Sequence, residues 1–456
     1  MNQDIKTTKK LYFMDHVVII GNGISGVTAA RHIRKLSDKK ITIISSETDY
    51  FFSRTALMYI YMGHMTFENT QPYEPYFWKK NKIDLKKALV SKVSFSDKTL
   101  HLSNNETLQY DQLILAVGSK PNKFGWPGQD LPGVQGLYHY QDLESLQKAT
   151  ERGINRGVIV GGGLIGIELA EMLHSKGKQV TFLVREPSFW SNVLPKEESE
   201  MINREILKNG IDLRLSSELK EIIAGEDGWV SKVITGDGEE IDCEFVGLTA
   251  GVSPNVAFLK DSELDIQRGI MVNRLLETNQ KDVYAIGDCA QFHEAVGGRR
   301  NLEQVWYTGR MMGEIVAKNI CGHKVEYQPG HWFNSAKFFD IEYQTYGWVL
   351  ANLKEGQEDF YWEHEDGNKC IHIVFEKESR KFIGINTFGI RLRHERFDSW
   401  LTENRNVEYV LEHLKDANFD PEFYKAYEDK IIEKFNSENG TNITVKNKSW
   451  KRIFTS

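Results

Sequence analysis

Two glycine clusters offer the first readable chemistry. Gly21-Asn22-Gly23-Ile24-Ser25-Gly26 and Gly161-Gly162-Gly163-Leu164-Ile165-Gly166 share one spacing, with glycine at the first, third and sixth places. Three absent side chains at that spacing suit the pyrophosphate of a dinucleotide. The first glycine permits a tight bend, the second lets the backbone approach the anion, and the third lets a helix pack closely on the preceding strand. The anion then lies at a helix N-terminus, where unsatisfied amides and the helix dipole favour negative charge. One such cluster alone is a weak sign, because glycine turns also serve as plain bends.

What gives the pair weight is the elements around them. Val17-Val18-Ile19-Ile20 is a short β-branched apolar run, which predicts a strand buried on both faces of a parallel sheet. A helix is expected from Val27 to Leu36, then a strand Ile41-Thr42-Ile43-Ile44, with Glu47 just beyond it, where an acid can accept ribose hydroxyls. The second cluster repeats this grammar: Val158-Ile159-Val160, a helix from Ile167 to His174, and a strand from Val180 to Val184. There Arg185 and Glu186 follow the strand. Arg185 suits the 2′-phosphate of NADPH and Glu186 the hydroxyls of NADH, with a slight lean to NADPH; both also suit an ordinary solvated strand end.

Between and after these units, Leu100 to Ser103 and Val230 to Ile234 read as antiparallel strands, the latter set between turn signals at Asp227-Gly228 and Gly236-Asp237-Gly238. From Trp332 to Phe388 the chain is aromatic and strand-like, and from Arg393 it is helical in pattern, with Asp420-Pro421 opening a helix and Gly440 closing it. The expected class is α/β: two Rossmann-like nucleotide-binding domains with antiparallel insertions, plus a C-terminal α+β domain. The expected bounds are 1–125 with 251–325, 126–250, 326–400, and a helical tail over 401–456.

The 456 residues suffice for several domains, and 57 Lys plus Arg against 64 Asp plus Glu give a charge of −7. That balance argues against a general nucleic-acid binder. No apolar run reaches the roughly 20 residues of a spanning helix, and the start is polar, so a cytoplasmic protein is expected. Cys243, Cys289, Cys321 and Cys370 are too scattered for a disulfide framework or a paired metal site. Trp450-Lys451-Arg452-Ile453-Phe454, after Lys446 and Lys448, mixes bulky apolar and basic residues, as either a peripheral membrane contact or a docked terminus would.

Three further stretches carry a resemblance. Tyr110-Asp111-Gln112-Leu113-Ile114-Leu115-Ala116-Val117-Gly118-Ser119-Lys120-Pro121, Ala250-Gly251-Val252-Ser253-Pro254-Asn255 and Val283-Tyr284-Ala285-Ile286-Gly287-Asp288-Cys289-Ala290 resemble, with the glycine units and in order, the FAD-dependent pyridine nucleotide-disulfide oxidoreductase superfamily. The resemblance runs from residue 16 to residue 322. It implies FAD at Gly21, Gly23, Ser25, Gly26 and Glu47, with Gly287 and Asp288 on the ribityl chain. Ala116, Val117 and Gly118 would lie beside the adenylate half, and Val90 would meet the adenine through its backbone, although a plain core valine reads the same. It implies NADH or NADPH at Gly161, Gly163, Ile165, Gly166, Arg185, Glu186 and Gly251. Glu168 matches the glutamate near nicotinamide and flavin; an ordinary helix-surface residue is the other reading.

Thr55 falls where related enzymes carry a single redox cysteine, and a hydroxyl forms neither a sulfenic acid nor a mixed disulfide. Cys289 reads as packing. Tyr50-Phe51-Phe52-Ser53-Arg54 is similar to the branch holding ferredoxin and rubredoxin reductases, apoptosis-inducing factor and the flavin portion of nitrite reductases, which makes Arg54 a flavin contact. That branch usually has a lysine where Tyr59 stands here; the tyrosine could stack on the flavin or fill the core. The implied function is an oxidoreductase passing electrons from NADH or NADPH through FAD to an external acceptor, first a small iron-sulfur or rubredoxin-like protein. A quinone or oxygen reductase at a membrane surface and a redox-sensing binding protein stay open beside it. A homodimer is expected through the third domain, whose opening segment, Trp332 to Phe339, either faces the flavin or is ordinary core.

Overall fold

The computed structural model describes residues 15–420 and 425–446. The chain forms two compact units. Within the described residues, the first takes in the chain up to Lys120, Tyr138–Gln141 and Val252–Pro329, and the second takes in Pro121–Leu137, Asp142–Gly251 and the chain from Gly330 onward.

The first unit is built on a parallel sheet in the order Val283–Ala285, Gln112–Leu115, His16–Ile20, Lys40–Ser45, Ile83–Lys87. Val17, Val18 and Ile19 are fully buried, as a strand covered on both faces requires. The first glycine helix, Ile24–Leu36, begins earlier than the expected Val27, because the last residues of the glycine turn themselves form its opening turn. A helix the sequence pattern did not announce, Trp306–Ile320, packs on it. Glycines permit that approach: a Cβ at Gly309 would stand 2.5 Å from Ser25 Oγ, and one at Gly313 would stand 2.6 Å from the Ser25 carbonyl oxygen. An antiparallel sheet of Val90–Ser94, Thr99–Leu102 and Thr107–Gln109 covers the expected strand near Leu100.

The second unit holds a parallel sheet in the order Asp212–Leu215, Gln179–Val184, Arg156–Val160, Phe245–Leu248, Val134–Gln135. The second glycine helix is Leu164–Ser175. An antiparallel sheet follows, Leu219–Ala224, Val230–Thr235 and Glu240–Asp242, turning at Gly228 and Gly238, both with positive φ. The C-terminal part is a five-stranded antiparallel sheet in the order Phe333–Phe338, Ile341–Gly347, Phe382–Phe388, Cys370–Glu376, Gln357–Glu363. Phe360, Phe375 and Ile373 of this sheet share one core with Phe397, Val410, Ile431 and Phe435 of the following helices. The last described helix, Glu428–Asn439, ends at Gly440 with φ 63°, as expected, but opens at Glu428 and not at Asp420, while Pro421 lies outside the described residues. The class is therefore α/β with two Rossmann-like sheets, antiparallel insertions and a C-terminal α+β sheet.

This C-terminal sheet is welded to the second nucleotide fold. Phe338 packs on Phe189 and Trp190. Lys337 pairs with Glu171 of the second glycine helix at 2.9 Å. His372, fully buried, lies between Asp359 Oδ2 at 2.7 Å and Glu198 Oε1 at 3.3 Å, and Asn386 donates to Glu198 Oε2 at 2.8 Å. Burial alone would lower the His372 pKa; the hydrogen bonds and charges of Asp359 and Glu198 overcome it and hold the imidazolium up to about 9.

Candidate functional site

The two glycine turns have the same anatomy. Gly21 sits at φ 113°, and a Cβ there would stand 2.1 Å from the Ala116 carbonyl oxygen, so two predicted site residues are in contact. Gly161 repeats this at φ 118° against the backbone of Thr249 and Ala250, with the nearest atom 2.7 Å away. Cβ atoms at Gly26 and Gly166 would strike the carbonyl oxygens of Gly21 and Gly161 at 2.1 and 2.3 Å, the close helix contact that the third glycine serves. The middle glycines differ in kind: a Cβ at Gly23 or Gly163 would meet no atom within 4 Å. These two are the N-caps of their helices, neither end carries a side-chain cap, and neither first turn holds an acid. Open space before uncapped amides is what a pyrophosphate needs, and it is present twice. Ile165 lies in the first turn of the second helix.

Around the first turn, Glu47 and Arg54 form a two-pronged pair at 2.8 and 2.6 Å. Burial would raise the Glu47 pKa, but hydrogen bonds from His139, Arg54 and the Tyr140 amide, with the guanidinium charge, hold it down at about 2. Asp288 follows the strand Val283–Ala285 and Gly287, where φ is 73° and a Cβ would collide with Ser25 Oγ at 2.3 Å. Burial pushes the Asp288 pKa upward, and Tyr138 donates its hydroxyl to Oδ2 at 2.9 Å. Gly118, at φ 67°, faces the Tyr138 hydroxyl, and its neighbour Val117 packs against the core. Val90 is buried in the antiparallel sheet, paired with Leu102. The sequence reading missed Tyr138 altogether: nothing local marks it, because its partners lie far away in the chain.

In the second unit, Arg185 and Glu186 face each other at 3.0 Å, Arg185 being 71% exposed. Gly251 adopts φ 83° beside the Asn122 side chain. Among the described residues the Glu168 side chain has neither a hydrogen-bond nor an ion-pair partner. Desolvation, with the nearby Glu171 charge, pushes its carboxyl up to about 7. Glu171 takes Lys337 instead.

Thr55 stands exposed in a short turn, and Tyr59 stacks on His64 at 6.1 Å. Cys289 is fully buried and its thiol donates to the Leu115 and Ile286 carbonyls; desolvation pushes its pKa to about 12. It is a packed residue and not a relay thiol. Cys243 is likewise buried and pushed up to about 12. None of the four described cysteines is in a disulfide.

The turns, the Glu47–Arg54 pair and Asp288 fit FAD at the first site, and the second turn fits a nicotinamide nucleotide. Comparison with known proteins gives the family. The sequence pattern of the pyridine nucleotide-disulphide oxidoreductases matches residues 15–313. An NADH oxidase of Methanocaldococcus jannaschii is 30% identical over 351 residues, covering 74% of this chain and 77% of its own. A rubredoxin-NAD(+) reductase of Pseudomonas putida is 26% identical over 309 residues, covering 67% and 80%. The solved structure of a ferredoxin reductase from Rhodopseudomonas palustris superposes with a TM-score of 0.75 at 22% identity, over 92% of this chain and 99% of its own, which speaks for the fold. The chain belongs to the pyridine nucleotide-disulphide oxidoreductase family, in its branch without a redox thiol, and is an FAD-dependent NAD(P)H oxidoreductase.

Proposed function

We propose that this chain passes electrons from a nicotinamide nucleotide through FAD to a small iron-sulfur or rubredoxin-like protein. The observation that carries the reading is the missing thiol: Thr55 falls where the family resemblance puts the relay cysteine, and Cys289 is locked in the core. Electrons must then leave by an external acceptor. FAD, when bound, supplies the conversion of a two-electron hydride donor into single-electron transfers. The protein's part is binding and alignment. Gly23 and Gly163 admit the two pyrophosphates, Glu47 accepts ribose hydroxyls while Arg54 holds it in place, and Asp288 accepts from the ribityl chain. Glu168, with its carboxyl near 7, can hold or release a proton at neutral pH. The exposed Arg185 favours NADPH. The rubredoxin-reductase relatives support a protein acceptor.

A second reading, direct reduction of oxygen, is favoured by the NADH oxidase relative. The tail residues Trp450 to Phe454 that prompted a membrane contact lie outside the described residues, and no described helix is long and apolar enough to cross a membrane.

The test is anaerobic stopped-flow reduction of the yellow protein by NADH and by NADPH, then mixing with rubredoxin, ferredoxin, a quinone or oxygen. Fast bleaching with rapid reoxidation by rubredoxin or ferredoxin supports the proposal; rapid reoxidation by oxygen alone moves the second reading ahead. A reduced form that outlasts all four acceptors points to redox sensing.

A further inference from the structure

Tyr138 lies in a short stretch, Tyr138–Gln141, that belongs to the first unit although the chain on either side of it belongs to the second. Its hydroxyl accepts from the Ser119 amide at 3.0 Å and donates to Asp288 Oδ2 at 2.9 Å. A phenol has one proton to give. With its lone pair taken by a backbone N–H, that proton has a set direction, towards the carboxylate. The ring is fixed as well: the Arg54 guanidinium lies 4.6 Å from its centroid, and Arg54 also donates to the Tyr138 carbonyl. Two residues on, the Tyr140 amide donates to Glu47 Oε1 at 2.8 Å, and the Gln141 side-chain amide donates to the Glu47 carbonyl at 2.8 Å. One stretch of chain therefore holds two carboxylates that the sequence places 241 positions apart.

We propose that Tyr138–Gln141 is a positioning clamp for FAD, in which the Tyr138 hydroxyl orients Asp288 and the Tyr140 amide orients Glu47, so that both sugar-binding carboxylates present their remaining lone pairs in fixed directions. The proposal rests on the reading of the first glycine turn as the FAD site. A carboxylate rotating freely would have to be ordered by the cofactor itself, at a cost in affinity; the clamp removes that cost beforehand. Tyr138 acts through Asp288, so its effect must vanish when Asp288 can no longer respond.

Tyr138→Phe keeps the ring and the Arg54 stack and removes only the hydroxyl. The expected result is FAD affinity weakened by roughly tenfold or more, the size of one hydrogen bond to a charged group, with a changed flavin absorption and circular-dichroism spectrum and an apoprotein that keeps its fold by far-ultraviolet circular dichroism. Asp288→Ala, which leaves the Tyr138 hydroxyl nothing to orient, weakens FAD at least as much, and the double variant is no worse than Asp288→Ala alone. Tyr138→Phe with wild-type FAD affinity and spectrum, or losses that multiply in the double variant, overturns the clamp while leaving the FAD site intact. A wild-type chain that takes up no FAD on reconstitution removes the FAD reading and the clamp together.

Discussion

Gly21 and Gly23 stand two places apart and respond to an added methyl in opposite ways. Gly23 has φ −71° and open space where a Cβ would go. Gly23→Ala should leave the melting midpoint of the apoprotein nearly unchanged and lower FAD retention at least tenfold, read as flavin absorbance remaining after gel filtration. Gly21→Ala meets both a left-handed φ and the Ala116 carbonyl, and should cost about 2–4 kcal/mol in stability by denaturant melts. A second residue-scale prediction concerns Glu47. Its pKa falls from 4.5 in the unfolded chain to about 2 in the fold. The stability it contributes, at most about 3 kcal/mol, is present above pH 4.5 and is lost as pH falls towards 2. Glu47→Gln should flatten that acid limb in a melt-versus-pH series; an unchanged limb would count against the assignment.

At the scale of elements, His372 joins the C-terminal sheet to the helix Lys196–Lys208, which carries Glu198. Its pKa rises from 6.5 to about 9 in the fold, so its contribution, at most about 3 kcal/mol, is complete below pH 6.5 and declines as pH climbs through 9. Melting midpoints recorded from pH 6.5 to 9.5 should drop, and His372→Leu should abolish that drop while costing about 3–5 kcal/mol at neutral pH, because it strands the Glu198 charge in the core. This junction was invisible in the sequence. Glycine spacing and strand runs are local patterns and could be read off the chain, whereas Arg54 and the Gly287-Asp288 pair were legible only through the family resemblance, and the contact of Arg54 with Glu47 was not foreseen. Partners such as Tyr138 with Asp288, or Glu198 with His372, are made by folding across 150 and 174 positions, and no local pattern announces them. The helix Trp306–Ile320 went unannounced for another reason: Gly309 and Gly313 weaken its helical signal, yet they are what lets it pack against Ser25.

At the scale of the whole molecule, the first unit is discontinuous in sequence. Its parallel sheet seats Val283–Ala285 beside Gln112–Leu115, with the whole second parallel sheet encoded between them. Pairs of such high sequence separation form slowly, since the intervening loop must close before the contact rewards it. For a nascent chain leaving the ribosome, the strands His16–Ile20, Lys40–Ser45, Ile83–Lys87 and Gln112–Leu115 emerge early yet must wait, with an open sheet edge, until residue 285 has been translated. Arrested chains ending at residue 275 should remain sensitive to protease in the first 120 residues and decline FAD, whereas chains extended past residue 325 should resist and turn yellow. Cofactor loading is in this way tied to translation of the second half of the message, and a prematurely terminated product exposes a sheet edge that chaperones would be required to cover.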